Sequence, residues 1–107
     1  MTPSMKRATA LLGLAVALSP LTASANQALA QQKACLACHT VDKKLVGPAF
    51  QDIAKKYAGQ KDAEAALVRS IKAGGSGKWG PVPMPPQPAL SDSEAQTLAA
   101  WVLSGAR

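Results

Sequence analysis

The chain has 107 residues and a formal net charge of +6, with 12 basic and 6 acidic side chains and 4% aromatic residues. This length corresponds to one small domain. The sequence contains two cysteines, Cys35 and Cys38, and one histidine, His39. These counts exclude a disulfide elsewhere, and they exclude a zinc site of four cysteines, or of two cysteines and two histidines, within one chain. The lysines are scattered and no motif interleaves them with aromatic residues, which argues against nucleic-acid binding.

Residues 1–25 have the features of a secretory signal peptide that is removed from the mature protein. Lys6 and Arg7 precede an apolar stretch that is too short for a membrane span, which needs ~20 residues. Small residues then end at Ala25 in the pattern of a cleavage site, and a competing pattern ends at Ala30. Cleavage after Ala25 removes the two basic residues and lowers the formal net charge from +6 to +4. Such an excess is typical of a solvated surface, and it also suits an acidic docking partner.

The mature domain, residues 26–107, begins with a helix predicted over residues 28–38. This helix leads into the run Cys35-Leu36-Ala37-Cys38-His39. Two cysteines three positions apart, followed at once by histidine, form the attachment motif of a c-type haem. The two thiols can reach the two vinyl groups of one porphyrin, and the histidine can bind the iron. A thiol redox site and a metal site shared between chains are the alternatives.

Two further helices are predicted before the middle of the domain. The second covers residues 50–58, because apolar residues recur at helical spacing from Phe50 to Tyr57. The third covers residues 63–73, with Asp62 as its N-cap and a pair of glycines after its last residue. No strand pattern or internal repeat is found, so the domain is predicted to be all-α.

A long segment without predicted secondary structure runs from Gly74 to Leu90 and contains five prolines. Loops of this length are usually functional or disordered. Proline restricts the backbone, so we predict a stiff strap rather than a flexible linker. This strap, residues 74–90, carries Trp79 and Met84, which it would hold against an apolar surface.

The fourth helix is predicted to begin after Ser91 and to end at Gly105. Ser91 and Glu94 have the spacing of a capping box, in which each side chain bonds the other residue's backbone N–H. The residues expected to be buried on this helix are Ala95, Leu98, Trp101 and Val102.

Met84 is the predicted sixth ligand of the haem iron. It is the only methionine outside the signal peptide, and the chain offers no second histidine and no free thiolate. Lys78 as a deprotonated amine is one alternative, and an open site that takes water or a gas is another. Two strong axial ligands would leave electron transfer as the chemistry of the site, and a thioether would raise the reduction potential relative to a second imidazole.

Four runs of the mature chain together resemble the small bacterial class I cytochromes c, in particular the periplasmic electron donors of denitrifying bacteria. The runs are Cys35 to His39, Val46-Gly47-Pro48-Ala49-Phe50, Trp79-Gly80-Pro81-Val82-Pro83-Met84-Pro85-Pro86 and Glu94-Ala95-Gln96-Thr97-Leu98. The resemblance implies a class I cytochrome c fold of about four helices around one covalently attached haem c, with the first and last helices crossing. It also implies a periplasmic electron carrier, not an enzyme, and we expect a monomer.

The resemblance implies two further contacts of the haem site. The carbonyl of Pro48 would accept the His39 Nδ1–H bond and fix the imidazole ring. Trp79 would donate its indole N–H to a haem propionate, and simple packing is the alternative role for this side chain. The haem-binding residues are therefore expected to be Cys35, Cys38, His39, Pro48, Trp79 and Met84, with His39 and Met84 as the iron ligands.

The implied partners are redox proteins. A nitrite reductase, a terminal oxidase or a peroxidase would accept electrons, and a membrane complex that oxidises quinol would donate them. We expect no nucleic acid and no stable membrane insertion. The lysines closest in sequence to the haem-binding segments would steer docking; these are Lys33, Lys43, Lys44 and Lys78. The alternative functions are a haem-based gas or redox sensor with a labile sixth ligand, and the haem domain of a larger oxidoreductase assembly.

Three positions depart from the family's pattern. Ser70 stands where relatives often carry an arginine directed at a propionate, so that ion pair would be missing. Gln87 replaces a common asparagine near Met84, and Ala30 replaces an aromatic residue of the first helix.

Overall fold

The computed structural model describes residues 2–4, 13 and 21–107, so most of the predicted signal peptide, residues 1–25, lies outside the described residues. The described chain forms four helices and one 3₁₀ turn: α1 Leu21–Gln32, the turn Cys35–Ala37, α2 Phe50–Tyr57, α3 Ala63–Ala73 and α4 Asp92–Leu103. No strand occurs in this part of the chain, which has only an isolated antiparallel bridge between Gly75 and Met84. The predicted all-α fold is confirmed. Among the described helices, none is long and apolar enough to cross a membrane.

The core forms around α4, which packs against α1, α2 and α3. Five residues of α4 are buried, because apolar side chains recur at helical spacing along one face. Ala30 of α1 is fully buried in the same cluster, so the expected contact between the first and last helices is present. The core residues are Ala30, Phe50, Ile53, Tyr57, Ala63, Leu67, Leu90, Leu98, Ala99, Trp101 and Val102.

The first helix differs from the predicted helix over residues 28–38. It begins at Leu21 and ends at Gln32, and Ala34 adopts the left-handed conformation with φ 61°. A residue in this conformation cannot continue a right-handed helix. The chain therefore turns and continues as the 3₁₀ turn Cys35–Ala37, in which the Cys38 N–H donates to the Cys35 carbonyl at 3.2 Å. The two cysteines project from this separate turn and not from the end of an α-helix.

The boundaries of α2 and α3 agree with the sequence predictions to within one residue, and α4 ends at Leu103, two residues before Gly105. α2 ends at Tyr57, and α3 covers residues 63–73 as predicted. Asp62 lies at the N-cap position of α3, but its side chain makes no capping hydrogen bond. The capping box of α4 is confirmed, since the Glu94 N–H donates to Ser91 Oγ and the Ser91 N–H donates to the Glu94 carboxylate, both at 3.1 Å.

The strap, residues 74–90, is paired within itself and tied to α3. Met84 pairs with Gly75, the second residue after the helix, and the Gln87 N–H donates to the Lys72 carbonyl of α3 at 3.2 Å. The Lys72 ammonium also forms an ion pair with Asp92 at the start of α4. The hydrogen bond from Gln87 holds the strap against α3, the pairing with Gly75 closes the strap on itself, and the ion pair joins α3 to α4.

Candidate haem site

All six predicted haem-binding residues line one cavity of about 970 Å³, and all four helices contribute to its wall. This volume lies at the upper end of the roughly 300–1,000 Å³ that is usual for cofactor and ligand sites. The lining is mostly apolar and includes Phe50, Ile53 and Leu67 of the core. The structure thus brings together Cys35, Cys38, His39, Pro48, Trp79 and Met84 around a space of cofactor size.

The His39 ring is held in one orientation by two neighbours. Its Nδ1 lies 2.7 Å from the Pro48 carbonyl oxygen, so Nδ1–H donates and Nε2 keeps the lone pair that a metal requires. The ring also stacks on Phe50, with centroids 5.2 Å apart and an interplanar angle of 22°. His39 is 9% exposed. The hydrogen bond between His39 and Pro48 is the one that the family resemblance implies, whereas the stacking on Phe50 was not foreseen.

Gly47 makes room for the imidazole. A Cβ atom at this position would lie 2.6 Å from Cε1 and 2.9 Å from Nδ1 of His39, closer than non-bonded atoms allow. The Gly47 N–H also donates to the Cys38 carbonyl at 2.7 Å, which ties the loop to the haem motif. Sequence analysis assigned no role to Gly47, because its need for a missing side chain arises only from this tertiary contact.

The two cysteines are free and half-buried at the cavity wall. Burial raises the pKa of the Cys35 thiol above its ordinary value, and a backbone hydrogen bond opposes this rise only in part. A reactive redox cysteine requires a lowered pKa, since the thiolate is the nucleophile. The environment of Cys35 therefore lacks the lowered pKa that a thiol redox site needs.

Met84 is half-buried and is fixed through its backbone. Its N–H donates to the Gly75 carbonyl at 2.7 Å, and the Gly75 N–H donates to the Met84 carbonyl at 3.0 Å. Lys78, the alternative ligand, is exposed on the same strap. Both residues line the cavity, and Met84 is the one whose side chain is half-buried and whose backbone is paired.

Trp79 lies at the rim of the cavity and is 42% exposed. The Lys56 ammonium lies 4.4 Å from the centroid of the Trp79 ring and donates a hydrogen bond of 3.1 Å to the Lys78 carbonyl. A cation above an indole ring is attracted to its negative face. Lys56 thus links the end of α2 to the strap. The sequence did not reveal this role, because Lys56 and Trp79 are 23 positions apart.

Two further features bear on whether a haem fits. The indole Nε1 of Trp101, at the cavity wall, is buried and has no hydrogen-bond partner among the described residues. A buried unpaired donor is costly, and an acceptor on a bound group would relieve that cost. Ser70 is half-buried at the same wall, while Arg69 is exposed, so α3 directs no arginine side chain into the cavity. The cavity, the cysteine pair and the oriented imidazole together suit a covalently bound haem.

Comparison with known proteins agrees with this site. The sequence profile of the family "Cytochrome c" matches residues 23–106. The chain is 59% identical to cytochrome c-551 of Pseudomonas aeruginosa over 73% of this chain and 74% of that protein. It is 56% identical to cytochrome c-552 of Hydrogenobacter thermophilus over 88% of this chain and 94% of that protein.

A solved structure shows the same fold. The crystal structure of cytochrome c552 from Nitrosomonas europaea superposes with a TM-score of 0.71 and 50% identity, covering 73% of this chain and 96% of that one. The matched region contains the cysteine pair and the histidine of the attachment motif. The chain therefore belongs to the cytochrome c family, as a small class I cytochrome c of the electron-carrying type, and its cofactor is haem c.

Proposed function

We propose that this protein is a periplasmic carrier of single electrons whose haem iron has histidine and methionine as axial ligands. The observation that carries the proposal is the composition of one cavity wall. It contains an imidazole whose Nδ1 is engaged by Pro48 and a methionine whose backbone is paired with Gly75. The Pro48 carbonyl holds the imidazole ring itself, and the pairing with Gly75 holds the backbone of Met84 at the cavity.

Each residue of the site then has a definite role. Cys35 and Cys38 would form thioether bonds to the haem vinyl groups, while His39 Nε2 and Met84 Sδ would bind the iron. The haem supplies the one-electron couple between Fe(III) and Fe(II). Pro48 holds the imidazole ring, and Trp79 would donate its indole N–H to a propionate.

The same ligand set argues against enzymatic activity. With both axial positions taken by protein side chains, a substrate has no coordination site on the iron. Electrons would instead pass between haem groups or other centres of docked redox proteins. The proposed acceptors are a nitrite reductase, a terminal oxidase or a peroxidase, and the proposed donor is a membrane complex that oxidises quinol.

Optical spectra of wild type and of Met84→Ala test the ligand assignment. Oxidised wild type should show the weak red sulfur-to-iron charge-transfer band, and the variant should lack it and have a lower reduction potential. Reduced wild type should not bind carbon monoxide at neutral pH without denaturant, whereas the variant should bind it. A band that survives the replacement would refute Met84 as ligand, and carbon monoxide binding by wild type would favour the sensor function instead.

Export to the periplasm follows if the signal peptide is removed after Ala25. The structure supports this cut over the one after Ala30, because Leu29 packs against the core and Ala30 is fully buried in it. Cleavage after Ala30 would remove both side chains from the contact between α1 and α4. The intact mass of the exported protein with one haem distinguishes the two products, and a chain that begins at Gln31 would contradict the proposal.

A further inference from the structure

Gly74, the residue that follows α3, has a backbone conformation that only glycine adopts readily. Its φ is +66° and its ψ is −166°. A side chain in this region of φ and ψ is strained even where space is available. The Gly74 N–H donates to the Ser70 carbonyl at 2.9 Å, so this conformation is part of the way in which α3 ends.

The later part of the strap, Met84–Pro86, presses against Gly74 from the other side. A Cβ atom at this position would lie 2.7 Å from Pro86 N and 2.9 Å from the Pro85 carbonyl carbon, and it would be closer still to the Met84 carbonyl oxygen. All three are backbone atoms, which cannot rotate away as the end of a flexible side chain can. The next residue, Gly75, makes the two hydrogen bonds to Met84.

Gly59 provides an internal comparison. It is the second residue after α2, whereas Gly74 is the first residue after α3, and its φ of +76° is likewise positive. A Cβ atom on Gly59 would meet nothing within 4 Å. A side chain would meet a positive φ at both positions, but only Gly74 is in contact with the Met84–Pro86 backbone.

We propose that Gly74 is a positioning residue for Met84: its missing side chain lets the end of α3 hold the Met84 backbone where the thioether reaches the iron. This inference rests on the proposed function, in which Met84 is an axial ligand. A methyl group at position 74 would force the Met84–Pro86 backbone outward and would oppose its pairing with Gly75. The equilibrium between attached and detached methionine would then shift toward the detached state.

Imidazole binding to the oxidised holoprotein measures this shift, because imidazole competes with Met84 for the iron. Gly74→Ala should lower the apparent dissociation constant for imidazole at least tenfold, which corresponds to about 1.4 kcal/mol, and should weaken the sulfur-to-iron band. The control Gly59→Ala should remain within about threefold of wild type, because it places a side chain at a positive φ away from the Met84–Pro86 backbone. Equal imidazole affinities for Gly74→Ala and Gly59→Ala would overturn the proposal.

Met84→Ala separates this failure from failure of the proposed function. If Met84→Ala binds imidazole no better than wild type, Met84 is not the ligand and the proposed function falls. If Met84→Ala binds much more tightly while Gly74→Ala behaves as wild type, the ligand assignment stands and only the role of Gly74 falls.

Amide hydrogen exchange of the wild-type holoprotein gives a test that does not depend on whether Gly74→Ala folds. The amides of Met84 and Gly75 should be protected, and saturating imidazole should accelerate the exchange of both at least tenfold. The amide of Leu98 in α4 should be unaffected, since α4 makes no part of this pairing. Unprotected Met84 and Gly75 amides, or amides that imidazole leaves unchanged, would contradict the coupling between this pairing and methionine attachment.

Discussion

Lys56 makes two contacts with the strap from the last turn of α2. Its ammonium lies over the Trp79 ring at 4.4 Å and donates a hydrogen bond to the Lys78 carbonyl. Since Trp79 is 42% exposed, packing from the protein side alone does not confine its indole. The cation therefore restricts a side chain that the proposed function uses as a hydrogen-bond donor.

We expect Lys56→Gln to loosen Trp79. Loss of a cation–π contact at an exposed site should raise the hydrogen-exchange rate of the Trp79 indole N–H about two- to fivefold. Lys55→Gln is the control. Lys55 is exposed in the same turn, and its replacement removes the same charge. Nuclear magnetic resonance of the reduced protein resolves this indole N–H, and equal rates for the two variants would show that Lys56 does not hold it.

At the level of single residues, the sequence revealed the side chains with distinctive chemistry. It did not reveal residues whose role arises only from contacts in the folded protein. Cys35, Cys38, His39 and Met84 could be found because each is scarce in this chain and chemically suited to haem. Gly47 could not be found in this way, because nothing in the neighbouring sequence requires a glycine there. Its role depends on the buried His39 ring, which lies against it in the folded protein.

α4 is the helix on which the other three pack, and its start is stabilised by a complete capping box. The Ser91 hydroxyl satisfies a backbone N–H that would otherwise have no partner within the helix. Glu94 returns the contact to the Ser91 N–H and also pairs with Lys33, whose Nζ lies 3.2 Å from Glu94 Oε2. This carboxylate thus joins the start of α4 to the segment that follows α1.

Ser91→Ala should destabilise the protein by about 1 kcal/mol, because it leaves the N–H of Glu94 without its cap. For a domain of this size, the melting temperature should fall by roughly 4–8 °C. Ser93→Ala is the control, since Ser93 is exposed in the first turn of the same helix and alanine favours helix there. Thermal unfolding followed by circular dichroism compares the two, and equal melting temperatures would show that the cap contributes nothing.

The charge of Glu94 should make stability depend on pH in the acid range. The pKa of Glu94 is lowered below its ordinary value of 4.5. The larger cause is the hydrogen bond from the Ser91 backbone, and the next is the pairing with Lys33. A carboxylate with a lowered pKa stabilises the folded state above its unfolded pKa, and this contribution is lost as pH falls through the folded pKa.

Glu94→Gln keeps a side-chain acceptor in the capping box and removes the charge. In urea unfolding at pH 7, the free energy of unfolding should therefore be larger for wild type than for this variant. The difference between the two free energies should shrink as pH falls from 5 to 3. A difference that stays constant over this range would show that the charge of Glu94 is not involved.

At the level of elements, the predictions succeeded where start and stop signals are local. Gly74 marks the end of α3 in the sequence itself, and the capping box marks the start of α4. The end of α1 carries no such signal, because the left-handed residue there is Ala34 and not a glycine or asparagine. The predicted helix runs too far, to Cys38, because no residue near Ala34 signals that the chain turns there.

Over the whole molecule, the lysines expected to steer docking differ in their availability. Lys33 is paired with Glu94, so part of its charge is already compensated. Lys44 and Lys78 are exposed and line the cavity, while Lys61 is exposed on a groove between α3 and α4 away from it. Charge near the haem and charge far from it can therefore be compared within one protein.

We expect electron transfer with an acidic redox partner to slow as ionic strength rises, because the Debye length falls from ~10 Å at 0.1 M to ~3 Å at 1 M. Lys44→Gln and Lys78→Gln should each lower the bimolecular rate constant roughly two- to fivefold at low salt and should converge with wild type at high salt. Lys61→Gln removes the same charge from a surface distant from the cavity, so its rate should match wild type throughout. Stopped-flow measurements over a range of salt concentrations decide between local steering and net charge: equal losses in all three variants would show that only the total charge of the protein matters.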